Sequence, residues 1–390
     1  MLPYVRLSTF YFVYFASLGA LLPYWGLYLQ SLGFSAREIG ELMAIIMVTK
    51  IVSPNIWGWL ADRSGQRMRV IRLGSLASLL TFVAIFYVSS YTAVALVMLL
   101  FSFFWNATLP QFEAVTLGYL QEGLQRYSAI RLWGSVGFIV AVALLAPLLD
   151  YFGINLLIPV LTGIYLAIFL CSLAVKERPQ EPVVTSETPL LLRQVLRRPE
   201  VVALLVMSFL MQAGHGPYYS FYTLYMEGFG YSRTLVGQLW ALGVVVEVVI
   251  FLFMHRLIPR YGLYRLLIAS LLLTLLRWLL IALWPDSLLL MLLAQTLHAA
   301  SFGIFHAVTI TLFHQAFPGR LQGRGQAIYS SISYGAGGAL GALLSGYVGE
   351  YYSLNAIYLM AALLTLMALL VAWRWLDDIA VVGGRVGRYR

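Results

Sequence analysis

The sequence predicts an all-α membrane protein, with twelve transmembrane helices in two pseudo-symmetric six-helix halves. Three observations carry this: an apolar composition, apolar runs of spanning length, and loops that recur at a nearly fixed offset. The chain has 390 residues; 61% are hydrophobic and 11% charged, with a mean hydropathy of +0.84. Soluble domains run about 45–50% apolar and about 25% charged, which excludes a soluble enzyme. Lys and Arg number 25 against 16 Asp and Glu, a formal charge of +9. In a soluble domain that excess would point to nucleic acid. Here the basic residues lie between apolar runs, where they report orientation in a bilayer, so no nucleic-acid partner is expected.

A span needs roughly 20 apolar residues to cross about 30 Å of hydrocarbon. Punctuation by charged residues, Gly, Pro and Asn gives spans at 7–31, 36–61, 70–89, 92–119, 128–149 and 154–174, then at 201–227, 234–258, 264–284, 287–314, 325–349 and 354–376. Residues 1–175 are thus expected to form an N-terminal bundle and 201–376 a C-terminal one. Residues 176–200, with Pro179, Pro182 and Pro189 among mixed charges, read as a cytoplasmic linker, and 377–390 as a cytoplasmic tail.

Orientation follows from Lys and Arg in the loops. With the N-terminus inside, 20 basic residues fall in cytoplasmic segments, among them Arg6, Arg63, Arg126, Arg178, Arg260, Arg324 and Arg390, while only Arg37 and Arg233 fall outside. Both termini are expected in the cytoplasm. No cleavable signal is expected, because apolar sequence runs from Leu7 to Leu29 without a small-residue cleavage site. Cys171 is the single cysteine, so neither a disulfide within the chain nor a cysteine metal site is expected.

The halves echo each other. Asp150-Tyr151-Phe152-Gly153-Ile154-Asn155 recurs as Glu350-Tyr351-Tyr352-Ser353-Leu354-Asn355, an offset of 200 residues, and Arg63-x-Gly65 recurs as Arg260-x-Gly262, an offset of 197. Matching loops at nearly one offset argue for two six-helix repeats. The loop between spans 2 and 3 reads Gly58-Trp59-Leu60-Ala61-Asp62-Arg63-Ser64-Gly65-Gln66-Arg67. It resembles the Gly-x-x-x-Asp-Arg-x-Gly-x-Arg signature of the major facilitator superfamily. That resemblance covers essentially the whole chain and implies transport by alternating access. Physically, Gly58, Asp62, Arg63, Gly65 and Arg67 form a gating motif in which a carboxylate beside arginines can latch two halves together.

Ionisable residues inside spans are expensive and mark function. Lys50, Glu113, Arg131, Glu247 and Arg277 are such residues, with His215, His298 and His306 beside them. Glu113 and Arg131 flank the loop near Glu122 by nine residues each, about 13 Å deep at 1.5 Å per residue, so an ion pair between spans 4 and 5 is natural. The same arithmetic pairs Glu247 with Arg277 at about 21 and 23 Å from the loop near Gly262, with His298 at a similar level. A purely structural bridge is the alternative for each pair, but charge at this depth is poorly rewarded by structure alone. Lys50 lies about 24 Å from the inner loop, which suits the space above Glu113. His215 and His306 read as packed, hydrogen-bonded histidines. Three cations against two carboxylates leave one positive charge over, which favours an anionic solute such as a small carboxylate.

Span 7 carries Gly214-His215-Gly216-Pro217, a run expected to interrupt the helix, followed by Tyr218, Tyr219, Tyr222 and Tyr225. Discontinuous helices concentrate at transporter substrate sites, so Tyr218, Tyr219 and Tyr222 are candidate contacts. Trp240, seven residues before Glu247 and on its face, and Tyr28 of span 1 join them. Tyr24, Trp25 and Tyr225 fit an interfacial belt equally well. Gly134 and Gly137 in span 5, and Gly337 and Gly341 in span 11, read as packing surfaces.

Within the superfamily the chain is similar to the proton symporters of the lactose permease and phenylpropionate permease branch. The residues carrying this are Arg131-Leu132-Trp133-Gly134, His215 with Tyr218-Tyr219, Val236-Gly237, Leu242 through Glu247, Arg277-Trp278 and Leu297-His298. The resemblance implies that Glu113 and Arg131 bind substrate and that Arg277 and His298 belong to a proton-coupling cluster. Two departures stand out: Ser301 replaces the carboxylate one turn after the span-10 histidine, and the span-8 acid sits a turn later, as Glu247. Glu247 is therefore expected to be the titrating group. The expectation is a monomeric, multi-pass symporter of a bacterial inner membrane, importing a small organic solute such as an aromatic carboxylate, with protons as co-substrate. A sugar or nucleoside symporter and a proton-driven exporter of amphipathic compounds are the rival readings. No enzyme, cofactor or metal centre is expected, since no nucleophile and base or ligand cluster occurs.

Overall fold

Capping residues and glycines set the helix ends. In the computed structural model, which describes residues 3–120, 124–176, 189–317 and 319–376, the first six long helices are α1 (Tyr4–Ser31), α2 (Ala36–Ser64), α3 (Arg67–Val83), α4 (Tyr91–Leu120), α5 (Leu124–Phe152) and α6 (Leu157–Ala174). The Glu122 loop, most of the expected linker with Arg178, and the 377–390 tail lie outside the described residues. Ser35 opens α2 with a capping box: its hydroxyl accepts from the Glu38 N–H, and the Glu38 carboxylate accepts from the Ser35 N–H. Gly65 closes it at φ +64°, in the left-handed region that only glycine adopts freely. Its sequence echo Gly262, at φ +78°, occupies the corresponding turn of the second half. The two turns share a positive-φ glycine but not one conformation, ψ being 13° at Gly65 and 158° at Gly262.

After a short helix α7 (Pro189–Leu196) come α8 (Pro199–Gly228), α9 (Arg233–Tyr261), α10 (Leu263–Leu283), α11 (Leu288–Thr296), α12 (Phe305–Ala316), α13 (Gln322–Tyr329), α14 (Gly338–Tyr351) and α15 (Leu354–Trp375). α11 and α12 are joined by a π-helical stretch at Ala299–Ile304, and α13 and α14 by another at Ser330–Gly337. Eleven of the expected twelve spans are long and apolar enough to cross a membrane among the described residues. The exception is α13 to α14, a continuous helical run whose Gly and Ser content lowers its hydropathy.

One expectation is corrected outright: α8 runs unbroken through Gly214-His215-Gly216-Pro217. The glycines serve close packing instead of a break. A Cβ on Gly216 would lie 2.3 Å from the Gly341 carbonyl carbon, and one on Gly341 would lie 2.2 Å from the Ala213 oxygen. Pro217 has no N–H to give to Ala213, and the released carbonyl packs where only glycine fits. The small residues of α14 therefore do form a packing surface. In α5, Gly137 does the same against the Phe12 backbone of α1.

Packing divides the chain into two compact units, Met1–Pro182 with Tyr219–Ala241, and Val183–Tyr218 with Leu242–Arg390. In the first, α1 packs on α5 and α6, and α4 on α2 and α3; in the second, α10 packs on α15, α11 and α12. The C-terminal part of α8 and the first turns of α9 therefore pack with the first unit.

Candidate functional site

Each unit holds one group of intramembrane charges. In the first unit Glu113 of α4 and Arg131 of α5 face each other, as the depth arithmetic predicts, with Oε1 and Nε 4.0 Å apart. Their side chains are 37% and 32% exposed, so the pair is loose and borders open space. α1 supplies aromatic walls: the Arg131 guanidinium lies 3.8 Å from the Phe15 ring centroid and 5.9 Å from that of Tyr11. Tyr11 also gives its hydroxyl hydrogen to Thr116 Oγ1 at 3.3 Å. Neither Tyr11 nor Phe15 stands out in the sequence. Both lie about 10–16 Å into α1 at 1.5 Å per residue, the depth of Glu113 and Arg131, and that match is the signal that finds them.

Lys50 lies on α2, next to Thr49, which belongs to a buried clamp between α2 and α4. Asn106 Nδ2 donates to Thr49 Oγ1 at 2.9 Å, and Thr49 bonds Ser102 at 2.9 Å. Among the described residues Lys50 itself has no hydrogen bond or ion pair. Tyr28 is not brought to the Glu113 and Arg131 pair. It lies near the C-terminal end of α1, lining a cavity of about 450 Å³ with Tyr87, Ser89 and Asn155.

Higher along α5 an aromatic cluster forms. Trp240 lies 6.4 Å from Phe138, 6.4 Å from Tyr219 and 5.8 Å from Tyr222 between ring centroids, and its Nε1 donates to Thr223 Oγ1 at 3.1 Å. Phe138 follows Arg131 by seven residues, two helical turns, and so shares its face about 10 Å away. Arg131 and Phe138, the latter packed on the buried Trp240, thus lie along one side of α5.

The segment from Gly58 to Arg67, expected to gate, closes its own turn. Asp62 pairs with Arg67, Arg67 Nη1 donates to Gln111 Oε1 of α4 at 2.7 Å, Gly58 lies against the same Gln111 side chain, and Arg63 stacks on Trp59 at 5.4 Å.

The second unit corrects one pairing. Glu247 of α9 meets His298, Oε2 to Nε2 at 3.4 Å, while Arg277 of α10 makes no ion pair among the described residues. Fully buried, Arg277 donates to the Ala294 carbonyl at 3.1 Å, to Ser301 Oγ at 2.9 Å and to Gln295 Oε1 at 3.4 Å. Its guanidinium lies 4.3 Å from the Tyr218 ring and 4.6 Å from that of Trp278. The reason is Ser301: where a carboxylate would have drawn the cation, a hydroxyl accepts one bond and leaves Glu247 to the histidine. Tyr218 donates to Gln295 Oε1 at 3.0 Å, tying α8 into the cluster. His215 and His306 are packed as expected, with Nδ1 2.8 Å from the Met211 carbonyl and from the Tyr334 hydroxyl respectively. No cluster suited to a metal occurs among the described residues.

A profile of the MFS_1 like family matches residues 4–360. The chain is 29% identical over 366 residues to a probable 3-phenylpropionic acid transporter of Escherichia coli (strain K12), covering 91% of this chain and 93% of that protein. It is 27% identical over 368 residues to the maltose permease of Geobacillus stearothermophilus, covering 93% and 92%. Among solved structures, the nucleoside transporter NupG superposes with a TM-score of 0.85 at 18% identity, covering 97% of this chain and all of that one. The peptide-family transporter PepTSo gives 0.75 at 13%, covering 97% and 98%; at these identities the likeness is one of fold. With a family profile through most of its length and transporter folds matching it end to end, the chain belongs to the MFS_1 like family and is a multi-pass secondary transporter, not an enzyme.

Proposed function

We propose that the protein is a proton-coupled symporter that takes up a small aromatic carboxylate by alternating access. The observation that carries this is the geometry of α5: a loosely paired Arg131 and, about 10 Å along the same face, Phe138, which packs on the buried Trp240 at the centre of a cluster with Tyr219 and Tyr222. A molecule with a carboxylate at one end and a ring at the other presents one group for each. Arg131 binds the carboxylate in exchange for its distant contact with Glu113, and the partly exposed Phe138 and Tyr219 take the ring. Lys50, without a polar partner among the described residues, adds to the anionic preference. The name of the phenylpropionic acid relative agrees with this reading.

Coupling resides in the second unit. Glu247 accepts the proton and His298 orients it, while Arg277 is held beside them by neutral oxygens. The maltose permease relative supports a second reading, sugar symport, in which the aromatic cluster stacks on a sugar ring. Uptake of labelled 3-phenylpropionate and of maltose into proteoliposomes, with and without an imposed pH gradient, tests both. Gradient-driven accumulation of the acid and not the sugar is expected. Flux of maltose alone, or acid uptake indifferent to the gradient, overturns the proposal.

A further inference from the structure

Asp150 and Arg233 stand at the ends of two helices where each is electrostatically misplaced. Asp150 lies in the last turn of α5, the negative end of that helix dipole, and Arg233 is the first residue of α9, the positive end of its own. Each is satisfied by the other helix. The Asp150 carboxylate accepts from the N–H groups of Arg233 at 3.1 Å and Thr234 at 2.8 Å, and from the Thr234 hydroxyl at 2.5 Å. Arg233 donates in return to the Leu149 carbonyl of α5 at 2.9 Å, while its Nε bonds Glu227 of α8 at 2.6 Å. Asp150 thus serves as the N-terminal cap of α9, and Arg233 as a C-terminal cap of α5, across 83 residues of sequence. Asp150 has no favourable reason for its position unless the two helix ends are docked, whereas Arg233 keeps Glu227 as a partner within its own segment.

We infer that Asp150 and Arg233 form a reciprocal cap that latches the Tyr219–Ala241 segment onto the helices of the first unit and must open once per transport cycle. Secondary transport requires that access alternate, and Tyr219–Ala241 belongs to the sequence half that follows the linker. The seam beneath the latch is tight: a Cβ on Gly26 of α1 would lie 2.6 Å from the Ser220 carbonyl oxygen. A bonded carboxylate at this end makes the closed seam a discrete state, because releasing Asp150 strands a charge at an unfavourable dipole and takes the acceptor from the Arg233 and Thr234 N–H groups in one step, leaving Ser232 to cap only the Leu235 N–H. The inference rests on the transporter fold and not on the identity of the solute.

The test uses the full chain in lipid nanodiscs, where both faces are accessible, with Cys171→Ser as background. One cysteine is placed in the seam (Ser220→Cys) or one turn from Arg131 on its face of α5 (Ser135→Cys). Without substrate, Asp150→Ala is expected to speed maleimide labelling at 220 at least tenfold and to leave labelling at 135 unchanged or slower. Thr234→Val, which removes only the hydroxyl bond, is expected to speed labelling at 220 about two- to fivefold and remains readable if Asp150→Ala does not fold. Unchanged labelling at 220 in the folded Asp150→Ala protein, or in Thr234→Val where that is the readable variant, overturns the latch. So does an equal rise at 220 and 135, which signals general loosening. Because no solute enters the assay, failure of 3-phenylpropionate as substrate leaves the result intact.

Discussion

The two intramembrane charge groups hold their charges in opposite ways. In the first unit Arg131 and Glu113 stand 4.0 Å apart with about a third of each side chain exposed. In the second, Arg277 is fully buried with three neutral acceptors, and Glu247 and His298 close to 3.4 Å with 13% and 6% exposed. A loosely held, hydrated cation can trade one carboxylate for another at small desolvation cost, whereas a buried one cannot leave its partners without stranding them. Proximity of charges alone therefore does not define a binding site. In the proposed cycle the first group exchanges partners and the second holds a proton beside Arg277.

Substitutions in each unit probe this contrast. Arg131→Gln removes the exchangeable cation and is expected to weaken binding of 3-phenylpropionate about 10- to 100-fold, the range of a lost charge-assisted bond, read by ligand-induced thermal shift. An equal loss for a neutral ligand would deny that Arg131 reads a carboxylate. Ser301→Ala withdraws one bond from a buried guanidinium, so a loss of about 1.5–3 kcal/mol of stability is expected, with substrate affinity little changed. The reverse outcome would place Ser301 in the binding site. Trp240→Ala is expected to weaken an aromatic acid about 2- to 10-fold, from stacking of about 0.5–1.5 kcal/mol, and to spare an aliphatic acid in the same competition assay. The smallest effect is expected for Thr49→Val, about 1 kcal/mol from the clamp beside Lys50, with unchanged affinity.

Much of this architecture is legible in sequence because the bilayer writes it there. Runs near 20 apolar residues, arginines concentrated in one set of loops, and the Asp62 motif each follow from a strong local constraint. So does the facing of Glu113 and Arg131, since two helices joined by a short loop share depth. Arg277 escapes the same arithmetic because a long side chain chooses among partners at one level, and Ser301 and Gln295 outcompete Glu247 for its donors. The π-helical stretches at Ala299–Ile304 and Ser330–Gly337 carry no compositional mark, being a local accommodation within helices of ordinary apolar and small residues. Gly216 and Pro217 mislead for a related reason: helix breakers in isolation, they are here the residues that let α8 touch α14. Asp150 and Arg233 read as loop charges until the fold brings their helix ends together.

The division between a binding unit and a coupling unit meets its sharpest test in Glu247→Gln in proteoliposomes, followed for the same labelled acid in two modes. Accumulation driven by a pH gradient is expected to vanish while exchange of internal for external substrate continues, since the glutamine keeps the shape of the site and loses only the proton. Accumulation that persists in this variant, or exchange lost together with it, would contradict the division.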